Sequence, residues 1–281
     1  MGELIVMLRN ILCISGMVLL AGCGGSAEAP DDETAVAETS DPSAEAEATA
    51  SPAIASPKVD CGDFKGETAP KGQPADDILG VRQGMTLAQV QNVLQCKNSS
   101  YAVNTNERSV SLPSGGQMSQ IDLSADSGLD KVNATFVGPS GSEQLVHVDR
   151  TIEFTEGKEL PVASIKQELA DKYGAFDTSK YYKGDRGEIV RSRDGQQLSS
   201  GNSSYSVCQR QGVQLQQATP CLFAVSYSIQ RDDENPELAS KFSVNITNHA
   251  KAWAMVEAGE RQLSADVQRA KEKVSEGGLN L

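Results

Sequence analysis

The chain has 281 residues, with 38 Asp and Glu against 25 Lys and Arg, a formal net charge of −13 and 5% aromatic residues. This acidity argues against nucleic-acid binding, because neutralising phosphates requires clustered Lys and Arg. The two histidines of the chain exclude a His-rich metal site, and no apolar run reaches the ~20 residues that a transmembrane helix needs.

Residues 1–22 have the pattern of an export signal. An apolar run of eleven residues ends at Ala21. Its length suits the core of a signal peptide and is too short to span a bilayer. Glu3 is unusual in a region that is expected to be basic, so Met7 is an alternative to Met1 as the start of the protein.

The apolar run leads into Leu20-Ala21-Gly22-Cys23, which resembles the lipobox of bacterial lipoproteins at all four positions. The resemblance implies cleavage between Gly22 and Cys23, with acylation of the Cys23 thiol and of the new amino group. Two or more acyl chains hold a protein stably on a membrane. Gly24 in the next position implies, by the same resemblance, a periplasm-facing anchor in the cell outer membrane. The alternative is an ordinary secreted protein with a chance cysteine.

Residues 23–60 are predicted to form a lipidated, disordered, acidic linker. Residues 24–60 hold nine acidic residues and one lysine, and residues 24–58 hold four prolines and no aromatic residue. Such a segment buries too little apolar surface to offset its ordering entropy. Its prolines and like charges keep it extended, so we interpret it as a tether to a folded domain over residues 61–281.

Four cysteines remain after Cys13 and Cys23 are set aside: Cys61, Cys96, Cys208 and Cys221. An even number in an oxidising compartment predicts two disulfides, and four cysteines allow three connectivities. We favour Cys61–Cys96 and Cys208–Cys221, because local closure is easier than long-range closure, and each would stabilise the fold by about 3 kcal/mol. The spacing matches neither a zinc site nor a redox-active C-x-x-C motif, so no metal or cofactor is predicted.

A capped helix gives the clearest local signal. Thr86 and Gln89 have the spacing of a capping box, and Met85 and Val90 have that of a hydrophobic staple. Val90 and Leu94 then fall on one helical face. The pattern predicts a helix that begins after Thr86.

The same stretch, Gly84-Met85-Thr86 followed by Val90 and Leu94, resembles the GMT-x-x-x-V-x-x-x-L motif of the BamE/SmpA type of small outer-membrane lipoproteins. The resemblance covers about twenty of the 281 residues. It implies a short helical start, a three-stranded antiparallel sheet and an accessory role in the machine that inserts β-barrel proteins into the outer membrane. The family's usual Gly-x-Pro stop is replaced here by Gln95-Cys96-Lys97.

Alternating apolar residues predict strands in two later regions. Val132, Ala134 and Phe136 alternate with polar residues. In the next run, one apolar face is predicted to contain Val146, Val148, Ile152 and Phe154. Further strands are predicted at 223–229 and 242–246.

Two further helices are predicted from helical spacing. One runs from Pro161 to Tyr173 and is stopped by Gly174. The last covers 251–274, with Gly259 as a weak point and an apolar stripe that we expect to cover the protein's own sheet: Trp253, Val256, Leu263, Val267, Ala270 and Val274.

This order of elements predicts an α+β fold, with antiparallel sheet and packed helices. The pattern predicts a helix followed by strands in residues 78–160 and again in residues 161–249. These two segments are candidate tandem subunits, and the C-terminal helix 251–274 follows them. Such a tandem unit resembles either a doubled BamE-like unit or, in block order, the proteinaceous β-lactamase inhibitors. No residue-level self-similarity marks a repeat.

Catalytic motifs are missing from the sequence: there is no G-x-S-x-G elbow, Walker loop, HExxH or dinucleotide fingerprint. His147 alternates with apolar strand residues, so its side chain is predicted to face solvent or a partner, and His249 is interpreted in the same way. Asp122, Asp126 and Asp130 lack the spacing of a calcium loop and predict an Asp-rich turn.

The candidate partner surface is the cluster Tyr181, Tyr182, Lys183 and Arg186, because Tyr and Arg are enriched at protein interfaces. The alternative is that both tyrosines begin a strand with one side buried.

These features predict a lipid-anchored cell-envelope protein that acts as a non-catalytic binding or accessory module, in outer-membrane assembly or envelope maintenance. Its expected partners are the membrane, through the anchor, and an envelope protein, without nucleic acid or a small-molecule cofactor. The alternatives are an envelope hydrolase acting on wall material and a protein inhibitor. A pocket with two carboxylates at glycosidase separation would favour the hydrolase, and a flat, aromatic-rich patch would favour binding.

Overall fold

The computed structural model describes Cys61 and residues 75–181, 183–201, 203–208 and 220–276, all within one compact unit, Ser56–Leu281. The predicted signal peptide, the lipidated Cys23, the linker and Tyr182 lie outside the described residues, as does the side chain of Tyr181. None of the helices in the described part is long and apolar enough to cross a membrane.

The first half of the domain begins with a short hairpin, continues in a helix and ends in four long strands. The elements are β1 (Asp77–Ile78), β2 (Val81–Arg82), α1 (Leu87–Lys97), β3 (Ala102–Ser111), β4 (Gln117–Asp126), β5 (Asp130–Gly138) and β6 (Gln144–Glu153).

The second half repeats the order of a helix followed by strands, with a long helix added at its end. The elements are β7 (Leu160–Pro161), α2 (Val162–Tyr173), β8 (Asp177–Tyr181), β9 (Gly184–Ser192), β10 (Gln197–Leu198), α3 (Tyr205–Cys208), β11 (Cys221–Arg231), β12 (Leu238–Asn248) and α4 (His249–Glu276).

Ten strands of the described residues form one antiparallel sheet, which confirms the predicted α+β class. Across the sheet the order is β9, β11, β12, β6, β5, β4 and β3, with β8 and β10 on the outer edge of β9 and β7 beside β12. The last long strand of each half therefore lies at the centre. Seven residue pairs, from Lys241–Glu153 to Thr247–His147, join β12 to β6.

Local sequence explains where α1 and α2 begin and end. The predicted capping box is confirmed: the Gln89 N–H donates to Thr86 Oγ1 over 3.4 Å, and the Thr86 N–H donates to Gln89 Oε1 over 2.8 Å. In α2, Pro161 is the N-cap residue, and Gly174, with φ 99°, ends the helix. Both helices bury one apolar face.

The main core lies on one face of the sheet, under α1, α2 and the β1–β2 hairpin. We call it the covered face; among its buried residues are Leu94, Leu123, Phe136, Val148, Ile165, Val225 and Ile246. Tyr227 lies across Gly187, where an added Cβ would come within 2.2 Å of the tyrosine ring. A glycine is therefore needed at 187 for this ring to pack on the strand.

Helix α4 packs only its first half against the sheet. Its Ala252 and Val256 form a second buried cluster with Leu112, Met118, Val137 and Val146. Gly259 belongs to this contact, because a Cβ there would lie 3.3 Å from the Leu112 methyl groups. Farther along, Val267 is 46% and Val274 76% exposed, so the prediction that the whole stripe covers the sheet is wrong for the second half of α4.

Two further predictions need correction. Thr135 pairs with His147 but Phe136 with Leu145, so Val146 is an extra residue at a bulge and packs against α4, on the face opposite to Val148. His249 does not face solvent: it is buried, and its Nε2 lies 3.1 Å from the Cys208 carbonyl oxygen. Burial lowers the pKa of His249, although the hydrogen bond to that carbonyl opposes the shift.

Both disulfides have the predicted connectivity. Cys61 pairs with Cys96 at the end of α1, and Cys208 of α3 pairs with Cys221 at the start of β11. The Cα atoms are 5.5 Å and 5.3 Å apart, within the range that a disulfide spans.

Candidate functional site

The face of the sheet opposite to the covered face carries polar side chains in rows that cross the strands; we call it the polar face. Residues directly opposite each other in antiparallel strands share a face, so the strand registers define each row. One row takes one residue from each strand in the order β3, β4, β5, β6, β12, β11, β9 and β8. These residues are Asn104, Ser124, Asn133, Asp149, Asn245, Ser226, Glu188 and Asp177. With strands about 4.8 Å apart, this row spans about 34 Å.

A second polar row runs parallel to the first, two residues along each strand. It contains Asp126, Lys131, Thr151, Ser243, Ser228, Arg186 and Ser179. Apart from Ser226, the described members of both rows are exposed or half-buried. The two rows therefore form an accessible surface of hydroxyl, amide and charged groups, interrupted at the buried Ser226.

Cross-strand hydrogen bonds link six of these side chains in three pairs. Asn133 Nδ2 donates to Asp149 Oδ1 over 3.0 Å, and Asn245 Nδ2 donates to Ser226 Oγ over 2.7 Å. The Thr151 and Ser243 hydroxyls lie 2.9 Å apart. Such pairs between neighbouring strands preorganise the surface, since each side chain is fixed by its partner.

His147 lies on this polar face, as predicted, and two neighbours orient its ring. Its Nδ1 is 2.7 Å from Thr247 Oγ1, and its Nε2 is 3.7 Å from Asp149 Oδ2.

A groove of about 590 Å³ crosses the polar face between β6 and β9. Six of its lining residues are His147, Asp149, Arg186, Glu188, Ser226 and Asn245. The Tyr205 hydroxyl of α3 donates to Glu188 Oε2 over 2.9 Å. Burial and this bond to Glu188 raise the pKa of Tyr205 to about 12.

Asp149 and Glu188 are the carboxylates of this groove, and three strand spacings separate them along one row. That is about 14 Å between backbones, whereas the carboxyl groups of glycosidases are about 5 to 9.5 Å apart. The spacing does not favour this pair as acid and nucleophile or base of a glycoside hydrolase.

Opposite charges pair along the rest of the polar face. Lys241 Nζ lies 2.9 Å from Glu153 Oε1, and Arg108 Nε lies 3.2 Å from Asp122 Oδ2. The face therefore presents both signs of charge and no single strong field.

The covered face holds an apolar groove of about 460 Å³ beside α2, lined by Ile152, Phe154, Leu160, Ile165, Leu169 and Phe242. Its two cations are paired. Arg150 donates to both oxygens of Asp130 over 2.9 and 2.8 Å, and Lys172 Nζ lies 2.9 Å from Asp77 Oδ2.

The predicted partner cluster does not form one described surface. Tyr181 ends β8, and Lys183, in the turn after it, places its Nζ 2.8 Å from Asp233 Oδ1. Arg186 lines the polar groove. Of this cluster, the described side chains place only Arg186 at the candidate site.

Among the described residues, no group of three His, Cys, Asp or Glu side chains is placed to hold a metal ion. No family model, curated protein or solved structure matches this chain. The polar face and its groove are therefore the basis on which a function is assigned.

Sequence reasoning did not single out the polar rows, although a signal for them exists. Asn133 and Thr135 alternate with buried strand residues, as do Ser226 and Ser228 in β11. Alternation alone places these residues on the face away from the core. The rows themselves depend on which strands are neighbours.

Proposed function

We propose that this protein is a lipid-anchored binding module of the cell envelope, and that the polar face contacts its partner. The observation that carries the proposal is the pair of polar rows, accessible and linked in three places by cross-strand hydrogen bonds, on the face away from α1 and α2. A surface with this many oriented donors and acceptors suits reversible binding, because non-obligate interfaces are no more apolar than the rest of a protein surface.

The expected partner is another envelope protein with a polar surface. The mixed charges of the polar face, such as Lys241 beside Glu153, favour a partner that presents both signs. The resemblance of Gly84-Met85-Thr86 to the BamE/SmpA motif supports an accessory role in outer-membrane assembly or envelope maintenance.

A protein inhibitor is the second candidate. The first half has α1 followed by four strands, the second half has α2 followed by five strands and the short α3, and both halves join in one sheet. That block order supports the tandem architecture noted for β-lactamase inhibitors. A hydrolase is the weakest of the three, given the distance between the strands that carry Asp149 and Glu188.

Site-specific photocrosslinking tests the binding surface. A photoreactive amino acid replaces Ser228, in the second polar row, and in a matched variant replaces Ser164, an exposed serine of α2. We expect a discrete protein adduct in whole cells from position 228 and none from position 164. The same adducts from both positions, or none from 228, would contradict a binding role of the polar face.

A separate experiment tests the anchor. We expect the full chain to enter the detergent phase in detergent partitioning and a Cys23→Ser variant, exported by an ordinary signal peptide that is cleaved off, to enter the aqueous phase, because acyl chains supply the membrane affinity. Equal partitioning of the two would show that Cys23 is not the anchor.

A further inference from the structure

The outermost strand of the first half, β3, is long, with 10 residues. In the described part of the chain it pairs with β4 alone, in one unbroken register from Ala102–Asp126 to Ser111–Gln117. Its residues are exposed except for Val103 and Val110, which are half-buried. The strand contains neither proline nor lysine.

The two edges of the sheet differ. At the far edge, β9 is flanked by two short strands, β8 of 5 residues and β10 of 2. Short strands, prolines, lysines and bulges are the usual means by which proteins prevent an edge from pairing with another chain. The β3 edge has 10 residues and contains no proline, lysine or bulge, and its charged residues are Glu107 and Arg108, of which Arg108 is paired with Asp122.

The hydrogen bonds of the hairpin show which groups face outward. The Leu112 N–H donates to the Gly116 carbonyl over 2.8 Å, so this pair is a hydrogen-bonded one. Bonded and non-bonded pairs alternate along antiparallel strands. The residues whose backbone N–H and C=O groups point away from β4 are therefore Val103, Thr105, Glu107, Ser109 and Ser111.

We propose that β3 is a docking edge that adds one extended segment of a partner protein to the sheet as a further antiparallel or parallel strand. The outward backbone groups give the affinity, as in other cases of strand addition. This edge is separate from the groove on the polar face, and the proposal does not depend on it.

Glu107 defines the chemistry of the added strand. It is exposed, and its carboxylate is oriented by the Ser119 hydroxyl, which donates to Glu107 Oε1 over 3.0 Å. A basic residue opposite Glu107 makes a favourable cross-strand pair. A second copy of the chain, paired antiparallel so that all five outward residues of both strands overlap, would instead set Glu107 against Glu107, which is unfavourable. The segment therefore comes from a different protein and carries Lys or Arg at this position.

The probe is a synthetic peptide of alternating Thr and Val with one central Lys, added to the full chain. We expect slower amide exchange, read by NMR, at the outward residues Thr105, Glu107 and Ser109, while the amides bonded to β4 are unchanged. Replacing the peptide Lys by Glu should weaken binding by about threefold to fivefold, the value of one cross-strand charge pair. Glu107→Lys should reverse that preference.

Two proline variants form a matched pair. Thr105→Pro removes an outward N–H, and an edge strand tolerates proline there, so this variant should fold and lose peptide binding. Asn106→Pro removes an N–H that is bonded to β4 and should destabilise the domain. Undiminished binding by Thr105→Pro would overturn the proposal. The proposal would also be overturned if the outward amides were already protected in the free chain and their protection rose with protein concentration. That result would assign the edge to a second copy of the chain. Neither result bears on the adduct from position 228.

Discussion

At the scale of single residues, Asp130 connects three parts of the first half. It begins β5, accepts two hydrogen bonds from Arg150 of β6 and accepts a third, of 2.7 Å, from the Tyr101 hydroxyl before β3. Burial raises the pKa of Asp130, but the hydrogen bonds from Arg150 and Tyr101 outweigh burial and hold the pKa below its ordinary value.

The lowered pKa predicts how stability depends on pH. A carboxyl whose pKa is lower in the folded state stabilises the fold above its unfolded pKa of about 3.9 and loses that contribution as pH falls through the folded value. We expect Asp130→Asn to destabilise the domain at pH 7 by about 2 kcal/mol and to flatten the loss of stability below about pH 4. Urea unfolding across pH measures both effects.

Asp171→Asn, at an exposed position of α2, is the control and should leave the pH profile close to that of the parent. An Asp130→Asn profile parallel to the parent profile would show that this carboxyl does not titrate differently in the folded and unfolded states.

At the scale of elements, the capping box of α1 makes a direct prediction. Thr86→Ala removes the side chain that accepts from the Gln89 N–H and should cost about 1 kcal/mol. Thr86→Ser retains a hydroxyl and should cost much less. Thermal unfolding of both variants tests this, and equal losses would show that the threonine methyl group, rather than the cap, matters at this position.

The elements that were predicted from the sequence are those that bury one face. Helices α1 and α2 have a period because residues three or four positions apart enter the core, and the strands around Phe136, Val225 and Ile246 have one because alternate residues do. Strand β3 was missed because almost all its residues are exposed, which leaves no apolar alternation. The Val146 bulge was missed because an extra residue shows only when the partner strand is known.

The second half of α4 shows the opposite error. Val267 and Val274 follow the same helical spacing as Val256, yet only Val256 is buried. Spacing predicts which residues share a helical face, but it does not specify how far the neighbouring sheet extends.

At the scale of the molecule, the candidate site arises from topology. The polar rows cross both halves because β12 lies beside β6, which aligns Asn245 with Asp149. The sequence predicted helix-then-strand halves and the disulfide pairs from local patterns. It contained no local signal for the pairing of the halves, so the polar rows could not be assembled from it.

The central pairing also predicts cooperative unfolding. Because one sheet crosses both halves, loss of the β6–β12 pairs exposes core on each side. We expect amides of β5 and β11 to lose their protection at the same denaturant concentration, measured by hydrogen exchange. Two separate transitions would show that the halves are independent folding units.

The same central pair sets an order of events as the chain is made. Glu153 and Lys241, which face each other across β6 and β12, are 88 positions apart, so a nascent chain completes β6 well before β12 exists. Until then the inner edge of β6 has no neighbour, and bringing such distant segments together is slow. Newly synthesised copies are therefore most vulnerable to self-association during this interval, and a chaperone that shields β6 would raise the yield of native protein more than one acting on the finished domain.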